Sequence, residues 1–271
     1  MAELDGHLEL RATASAGGRT VLSHQSFRAP FHLSKPYAHD EVLQVQIVNP
    51  TAGMLEGDRL RVDIAVENGA ALLVTTPSHA RVFRAKGSGG VTCRQTLRVA
   101  SGGWLDWWPE PLVPHAGSRY VQDTLVELEK GAALFFCDAV APGRVARGEA
   151  WSWQSLEMKL NVTQAGRPIL RERLALSGEQ AAKLAGWAGA SEPWLATLVL
   201  VNVGESAVCQ RITQELHTPQ CWVGGSTLAG DAAWSVRIAA RDGQELRDVV
   251  SKFRTRLAEN CPKLAVDLRR V

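Results

Sequence analysis

Ile64-Ala65-Val66-Glu67-Asn68-Gly69-Ala70-Ala71-Leu72 reads as a strand, a glycine turn and a second strand, and the chain repeats that pattern twice more. The repeats are Leu97-Arg98-Val99-Ala100-Ser101-Gly102-Gly103-Trp104-Leu105 and Val126-Glu127-Leu128-Glu129-Lys130-Gly131-Ala132-Ala133-Leu134. Their turn glycines, Gly69, Gly102 and Gly131, lie 33 and 29 residues apart. Each unit has too little apolar surface to be stable alone, and stacking on the next buries a continuous core. Three unrelated hairpins would also place glycine where the backbone needs positive φ. The stacked arrangement is the expectation, and it predicts a mainly β fold of stacked strands, β-helix-like.

Further strand signals extend this reading on both sides. Leu72 to Thr76, Val91 to Val99 and Leu134 to Phe136 are apolar or alternating and rich in β-branched or aromatic residues. Similar runs follow at Trp153 to Val162, Leu195 to Val203 and Trp234 to Ala239. About two α-helices are expected. Gly243 to Glu259 sets Leu246, Val249, Val250, Phe253 and Leu257 on one face, with Asp248, Lys252, Arg254, Arg256 and Glu259 mostly elsewhere. The Ala-rich segment Glu179 to Trp187 is the second, stopped by Gly186, Gly189 and Pro193. No linker-like or low-complexity run divides the chain, so one domain over residues 1–271 is expected.

Composition narrows the function classes. Thirty basic against 28 acidic side chains give a net charge of +2, too weak a bias to indicate nucleic acid as a partner. No apolar run approaches the roughly 20 residues of a membrane span, and the first residues lack the pattern of a signal peptide. A cytoplasmic protein with no membrane partner is expected. The five cysteines are scattered, without a Cys-x-x-Cys pair, and Cys93 and Cys137 read as core filler.

The usual catalytic patterns are missing. There is no phosphate-binding Gly-x-x-x-x-Gly-Lys-Ser/Thr loop, and Lys86-Gly87-Ser88-Gly89-Gly90 reads as a connection between strands. Ser78 and His79 are adjacent, which on a strand turns them to opposite faces. Asp106, Glu110, Asp123, Asp138 and Glu149 lie near the stacked strands and leave acid-base hydrolysis open. Trp104, Trp107 and Trp108 cluster beside prolines, and Trp151 and Trp153 share one strand face. Such rings suit a sugar platform, a protein interface or a core. A carbohydrate-binding or carbohydrate-active β-helix protein is therefore the alternative.

The seven histidines form no His-x-His or His-x-x-x-His pair, so no tightly bound metal or other cofactor is expected. A mobile divalent ion needs less: a few carboxylates and oxygens that hold without trapping. Asp58 and Glu149 are candidates for such a path. Each also has a structural reading. Asp58, between Gly57 and Arg59, suits a turn-closing aspartate. Glu149, after Gly148 and near Arg144 and Arg147, suits an ion-pair network.

Two signatures carry a family resemblance. Asn49-Pro50-Thr51-Ala52-Gly53-Met54-Leu55-Glu56-Gly57-Asp58-Arg59-Leu60 and Gly143-Arg144-Val145-Ala146-Arg147-Gly148-Glu149, with Thr75-Thr76-Pro77, Val82-Phe83-Arg84 and Trp107-Trp108-Pro109-Glu110 between them, resemble the urease accessory protein D family, also called UreD or UreH. The likeness runs from Leu8 to about Trp151 and thins past Arg173. Departures are Leu43-Gln44 where Cys-His is frequent, Ala52 for a glycine, Arg81 for a lysine and Asp138 for a glutamate. The resemblance implies a non-catalytic, mostly β scaffold. It would bind urease accessory protein F directly, recruit the GTPase accessory protein G through it, and dock on apo-urease. Nickel would pass transiently through an internal tunnel. The GTP would then be hydrolysed by the partner, in keeping with the missing phosphate loop.

Overall fold

A computed structural model of the chain describes residues 4–185, 192–229 and 233–266. The strands, in chain order, begin with Asp5–Ala14 (β1), Thr20–Arg28 (β2), His32–Leu33 (β3), Tyr37–His39 (β4), Val42–Val48 (β5), Arg59–Val66 (β6), Ala71–Thr75 (β7), Ala80–Val82 (β8) and Val91–Val99 (β9). They continue with Trp104–Trp108 (β10), Leu112–Pro114 (β11), Arg119–Leu128 (β12), Ala133–Val140 (β13), Ser155–Gln164 (β14), Arg167–Leu176 (β15), Trp194–Val201 (β16), Cys221–Thr227 (β17) and Ala233–Ala240 (β18). The helices are Gly178–Ala185 (α1), Ser206–Leu216 (α2) and Gly243–Ala258 (α3).

Two sheets result. One has seven strands in the order β15-β14-β12-β9-β6-β1-β2; the other has eleven, running β17-β18-β16-β13-β10-β7-β5-β3 with β4, β8 and β11 beside this path. The three glycine turns carry the chain from the first sheet to the second, joining β6 to β7, β9 to β10 and β12 to β13. Gly69, Gly102 and Gly131 have φ of 71°, 70° and 81°, a left-handed conformation that side chains resist. Each turn closes with the same bond: Ala70 N–H to Glu67 O, Gly103 N–H to Ala100 O, and Ala132 N–H to Glu129 O. Each coil then bonds the previous one at matching positions, as Ala100 N–H does to Val66 O and Glu129 N–H to Val99 O. The coils stack in parallel and in register, aligning Val66, Val99 and Leu128 in one sheet and Ala71, Trp104 and Ala133 in the other. The fold is therefore the expected β-solenoid-like stack.

The strand interiors explain where the core is dry. Near the turns the inward positions are Ile64, Leu97, Val126, Leu134 and Phe136, all of them buried in one apolar cluster shared by both sheets. A second cluster lies on the other face of the eleven-stranded sheet, where α3 packs Leu246, Val249, Val250, Phe253 and Leu257. Asp242 caps α3 by accepting from Glu245 N–H at 2.8 Å. A reciprocal capping box of Ser177 and Gln180 starts α1.

Several sequence expectations need correction. Among the described residues there are three α-helices rather than two. The third, α2, was hidden because its buried Cys209, Ile212 and Thr213 form only a narrow stripe of β-branched and small residues, and Glu205 makes no side-chain cap. The expected helix Glu179 to Trp187 is α1 as far as Ala185, and its last two residues lie outside the described ones. Trp151 and Trp153 do not sit on a strand. Trp151 has φ of 56° in a turn before β14, and its ring meets that of Trp153 edge-on at 5.2 Å.

Arg254 is the largest departure. Expected away from the apolar face of α3, it is buried, and its guanidinium grips Asp106 of β10 through two bonds of 2.8 and 2.7 Å. The rings of Trp108 and Phe135 flank it at 4.6 and 4.8 Å. The pair therefore pins α3 to the second sheet. Replacing Arg254 by Met leaves the buried Asp106 without its two guanidinium bonds, at a cost of about 3–5 kcal/mol. Adding Asp106→Asn in that background should recover part of the loss, as measured by urea denaturation of both variants. In the turns, Gly102→Val forces a β-branched residue into a left-handed conformation and should lower stability by about 1–2 kcal/mol in the same assay.

Candidate functional site

Beyond the dry ranks, the inward positions turn polar. Parallel register aligns Leu60, Cys93, Gln122 and Met158 across the first sheet, and next to them Val62, Gln95, Thr124 and Leu160. Tyr120 donates to Gln122 Oε1 at 2.9 Å, Gln122 Nε2 donates to Asp138 Oδ2, and Thr124 Oγ1 donates to Gln95 Oε1 at 3.0 Å. This hydrogen-bonded file crosses the gap from the first sheet to β13 of the second.

A cavity of about 200 Å³ opens beside it, with Gln95, Gln122 and Tyr120 on one wall and Asp138, Glu110 and His79 on the other. A second cavity of about 190 Å³ lies between β14, β15, β16 and β18, and includes Lys159, Glu172 and Arg237. Asp138 belongs to the walls of both. Asp138 is closely surrounded by protein yet keeps some accessible surface, and it borders both cavities. Burial pushes its pKa up to about 7, against opposing bonds from Gln122 and the Ala139 N–H, and with a smaller push from Glu172. At the second cavity Glu172 is paired with Arg237.

The two expected path residues lie elsewhere. Neither Asp58 nor Glu149 lines either cavity. The buried Asp58 carboxylate accepts from Leu4 N–H at 3.2 Å and Leu55 N–H at 2.8 Å, which closes the turn of the first signature. That turn presents Gly53 and Met54 to the first cavity. Glu149 takes two bonds from Arg144, of 2.8 and 2.6 Å, and one from Ala116 N–H. The Arg144 bonds hold its carboxyl below the usual range. Arg147 is exposed within a short 3₁₀ turn that Gly148 ends. A Cβ on Gly143 would come within 2.4 Å of Glu149 O, so only glycine lets this loop close. Gly57 and Arg59 complete the frame: Gly57 N–H bonds Gly90 O, and Arg59 N–H bonds Leu4 O. Among the described residues, Asp58 and Glu149 hold loops together rather than meeting at one point.

Other candidate chemistry is also reassigned. The backbone N–H groups of Lys86, Gly87 and Gly89 cradle the carboxylate of Glu56, so the glycine-rich connection is an anion nest filled by the protein itself. Burial raises the Cys93 thiol to about 11, as suits an inert core residue. Trp104, Trp107, Trp108, Trp153 and Trp234 are buried, which removes the sugar platform on which the carbohydrate alternative rested. Among the described residues no group of three or more His, Cys, Asp or Glu is placed to hold a metal ion. No described helix is long and apolar enough to cross a membrane. Sequence reasoning left Asp138 as one of five scattered acids and did not place it between two cavities, although its signal, a lone acid inside the apolar run of β13, was present.

Stacked sheets held by interlocking loops, around an apolar core that gives way to one polar file, define a protein of the β-solenoid kind. The family profile described as UreD urease accessory protein matches residues 4–271. Over 270 residues the chain is 48% identical to the urease accessory protein UreD of Opitutus terrae, with 98% of each chain covered. It is 31% identical to that of Pseudomonas putida over 252 residues, covering 91% of this chain and 86% of the relative. The chain belongs to the urease accessory protein UreD family, a family of accessory proteins and not of enzymes.

The raised pKa of Asp138 has a definite sign in stability. A carboxyl ionising near 3.8 when unfolded and about 7 when folded favours the fold fully below 3.8, and that contribution is lost as pH rises through 7. Asp138→Asn should therefore gain on the parent as pH is raised from 5 to 8 in urea denaturation. Parallel stability curves for the two proteins would mean that Asp138 ionises freely in the fold.

Proposed function

We propose that this chain is a docking frame for nickel delivery to urease, and that the ion passes through its interior from one cavity to the other. The position of Asp138 on both cavity walls carries this reading. A transiting divalent ion needs oxygen donors spaced along a protected route, each too weak to trap it. Gln95, Tyr120, Gln122 and Asp138 supply such donors from the first cavity inward, and Glu172 continues them in the second. A carboxyl that ionises near neutral pH exchanges a proton for a cation at little cost. Asp58 and Glu149 serve the route by fixing the two signature loops, the first of which shapes the cavity mouth.

The partners follow from the same reading. Apo-urease receives the ion, accessory protein F binds directly, and accessory protein G, the GTPase, joins through it. The relatives' name, urease accessory protein UreD, supports the urease connection. The chain has no phosphate loop of its own, which leaves GTP hydrolysis to a partner. The assembly works in the cytoplasm, with nickel as cargo rather than resident cofactor.

The test replaces Asp138 in cells that also make urease and the other accessory proteins. Asp138→Leu should lower the nickel content of purified urease on the order of tenfold, with Asp138→Glu keeping most of it. Co-purification of the Asp138→Leu chain with accessory protein F should be unchanged. Fully loaded urease from the Asp138→Leu strain would rule out the interior route.

A further inference from the structure

One pairing at the first cavity is explained neither by the loop frame nor by Asp138. His79 lies in the bend that leads into β8, and its Nε2 is 3.2 Å from Glu110 Oε2. The Glu110 side chain is almost fully buried and that of His79 about one-third exposed, at 4% and 36%. Both residues line the cavity. Their positions are fixed: Glu110 N–H donates to Thr76 Oγ1 at 2.8 Å, and the imidazole lies against the Trp194 ring at 5.7 Å. Arg247, near the start of α3, also reaches Glu110 Oε2, at 3.2 Å, from a half-exposed position.

An ion pair with Arg247 already serves the Glu110 charge, so the imidazole is an additional donor placed where solvent meets the cavity. Adjacent ligands of a first-row divalent ion, with bonds of about 2.1 Å, stand about 3.0 Å apart in an octahedral shell and about 3.4 Å apart in a tetrahedral one. The observed nitrogen–oxygen separation of 3.2 Å falls between these values. Little movement is needed for a cation to join both.

We propose that His79 and Glu110 form a two-ligand binding site for a borderline divalent cation of the nickel or zinc type, with Arg247 as its built-in competitor. Imidazole and carboxylate together suit such ions, and Mg²⁺ prefers oxygen donors alone. Two protein ligands, completed by water, give weak binding. The nearby guanidinium weakens it further by repelling the ion, and it recovers Glu110 when the ion leaves. The site thus loads and unloads at the cavity mouth. It deepens the delivery reading and rests on that reading for its purpose, but not for its existence.

The experiment titrates Ni²⁺, Zn²⁺ and Mg²⁺ into the purified full-length chain against a colorimetric chelator. The parent should show weak Ni²⁺ and Zn²⁺ binding that Mg²⁺ does not displace. His79→Ala and His79→Asn should each weaken it about tenfold. Arg247→Gln should tighten it several-fold, because a positive charge beside the carboxylate is removed. Circular dichroism checks that all three variants fold. Affinity unchanged in both His79 variants, or unchanged or weaker in Arg247→Gln, would overturn the site. The delivery reading is judged separately, by urease nickel content in the Asp138→Leu strain. The expected binding pattern beside fully loaded urease would keep the site and remove the route.

Discussion

The left-handed turn that closes each coil is the constraint from which the remaining architecture follows. Because Gly69, Gly102 and Gly131 take nearly the same φ, successive chains leave the first sheet and join the second at the same height. Parallel register then becomes unavoidable, and residues of equal rank in different coils become neighbours. Apolar rank meets apolar rank near the turns. Further along the same strands, Cys93, Gln95, Gln122 and Thr124 meet one another, and close packing gives way to a hydrogen-bonded file. Cavity and core are two ends of one periodic arrangement. Polar side chains in a dry interior are costly unless bonded, and the file meets that requirement by pairing its members across coils.

Much of this was legible in the sequence because the turns are local. A glycine between two short alternating runs has few alternatives, and its near-periodic return implies stacking. The strand Val91 to Val99 appears in the fold with those bounds, since Val91, Leu97 and Val99 alternate with Thr92, Arg94 and Arg98. Features that depend on distant partners were hidden. Arg254 looks like a solvated helix cation until Asp106, in a strand far upstream, supplies two acceptors. Helix α2 buries only a narrow stripe, and its Val208, Ile212 and Thr213 suit a strand equally well. Asp138 stands out in the sequence as an acid in an apolar strand, but its environment does not, because β12, β14 and β15 make it, and its own neighbours in sequence reveal none of them.

The signatures that mark the family do geometrical work here. Asp58 spends its carboxylate on two backbone donors, Glu149 holds Arg144, and Gly143 leaves room for Glu149 O. Glu56, in the middle of the first signature, fills the backbone nest of the Lys86 to Gly89 loop. Of these loops, the first signature borders the first cavity, through Gly53 and Met54. Motif residues thus shape the mouth, and ordinary-looking strand residues furnish the interior.

A route for an ion differs physically from a site for one. A cage of three or four ligands makes a deep well, from which escape is slow. Single carboxylates separated by amide and hydroxyl oxygens make shallow wells, and here each acid also has a competing partner: Glu110 has Arg247, Glu172 has Arg237, and Asp138 has its own proton. On the proposed route every such competitor would return when the ion departs, so the free energy of binding at one station would be largely offset by the interaction it displaces. The interior would then stay near level for a divalent cation despite its burial. A cavity lined by unpaired carboxylates would bind such an ion too tightly to release it, and a wholly apolar one would exclude it.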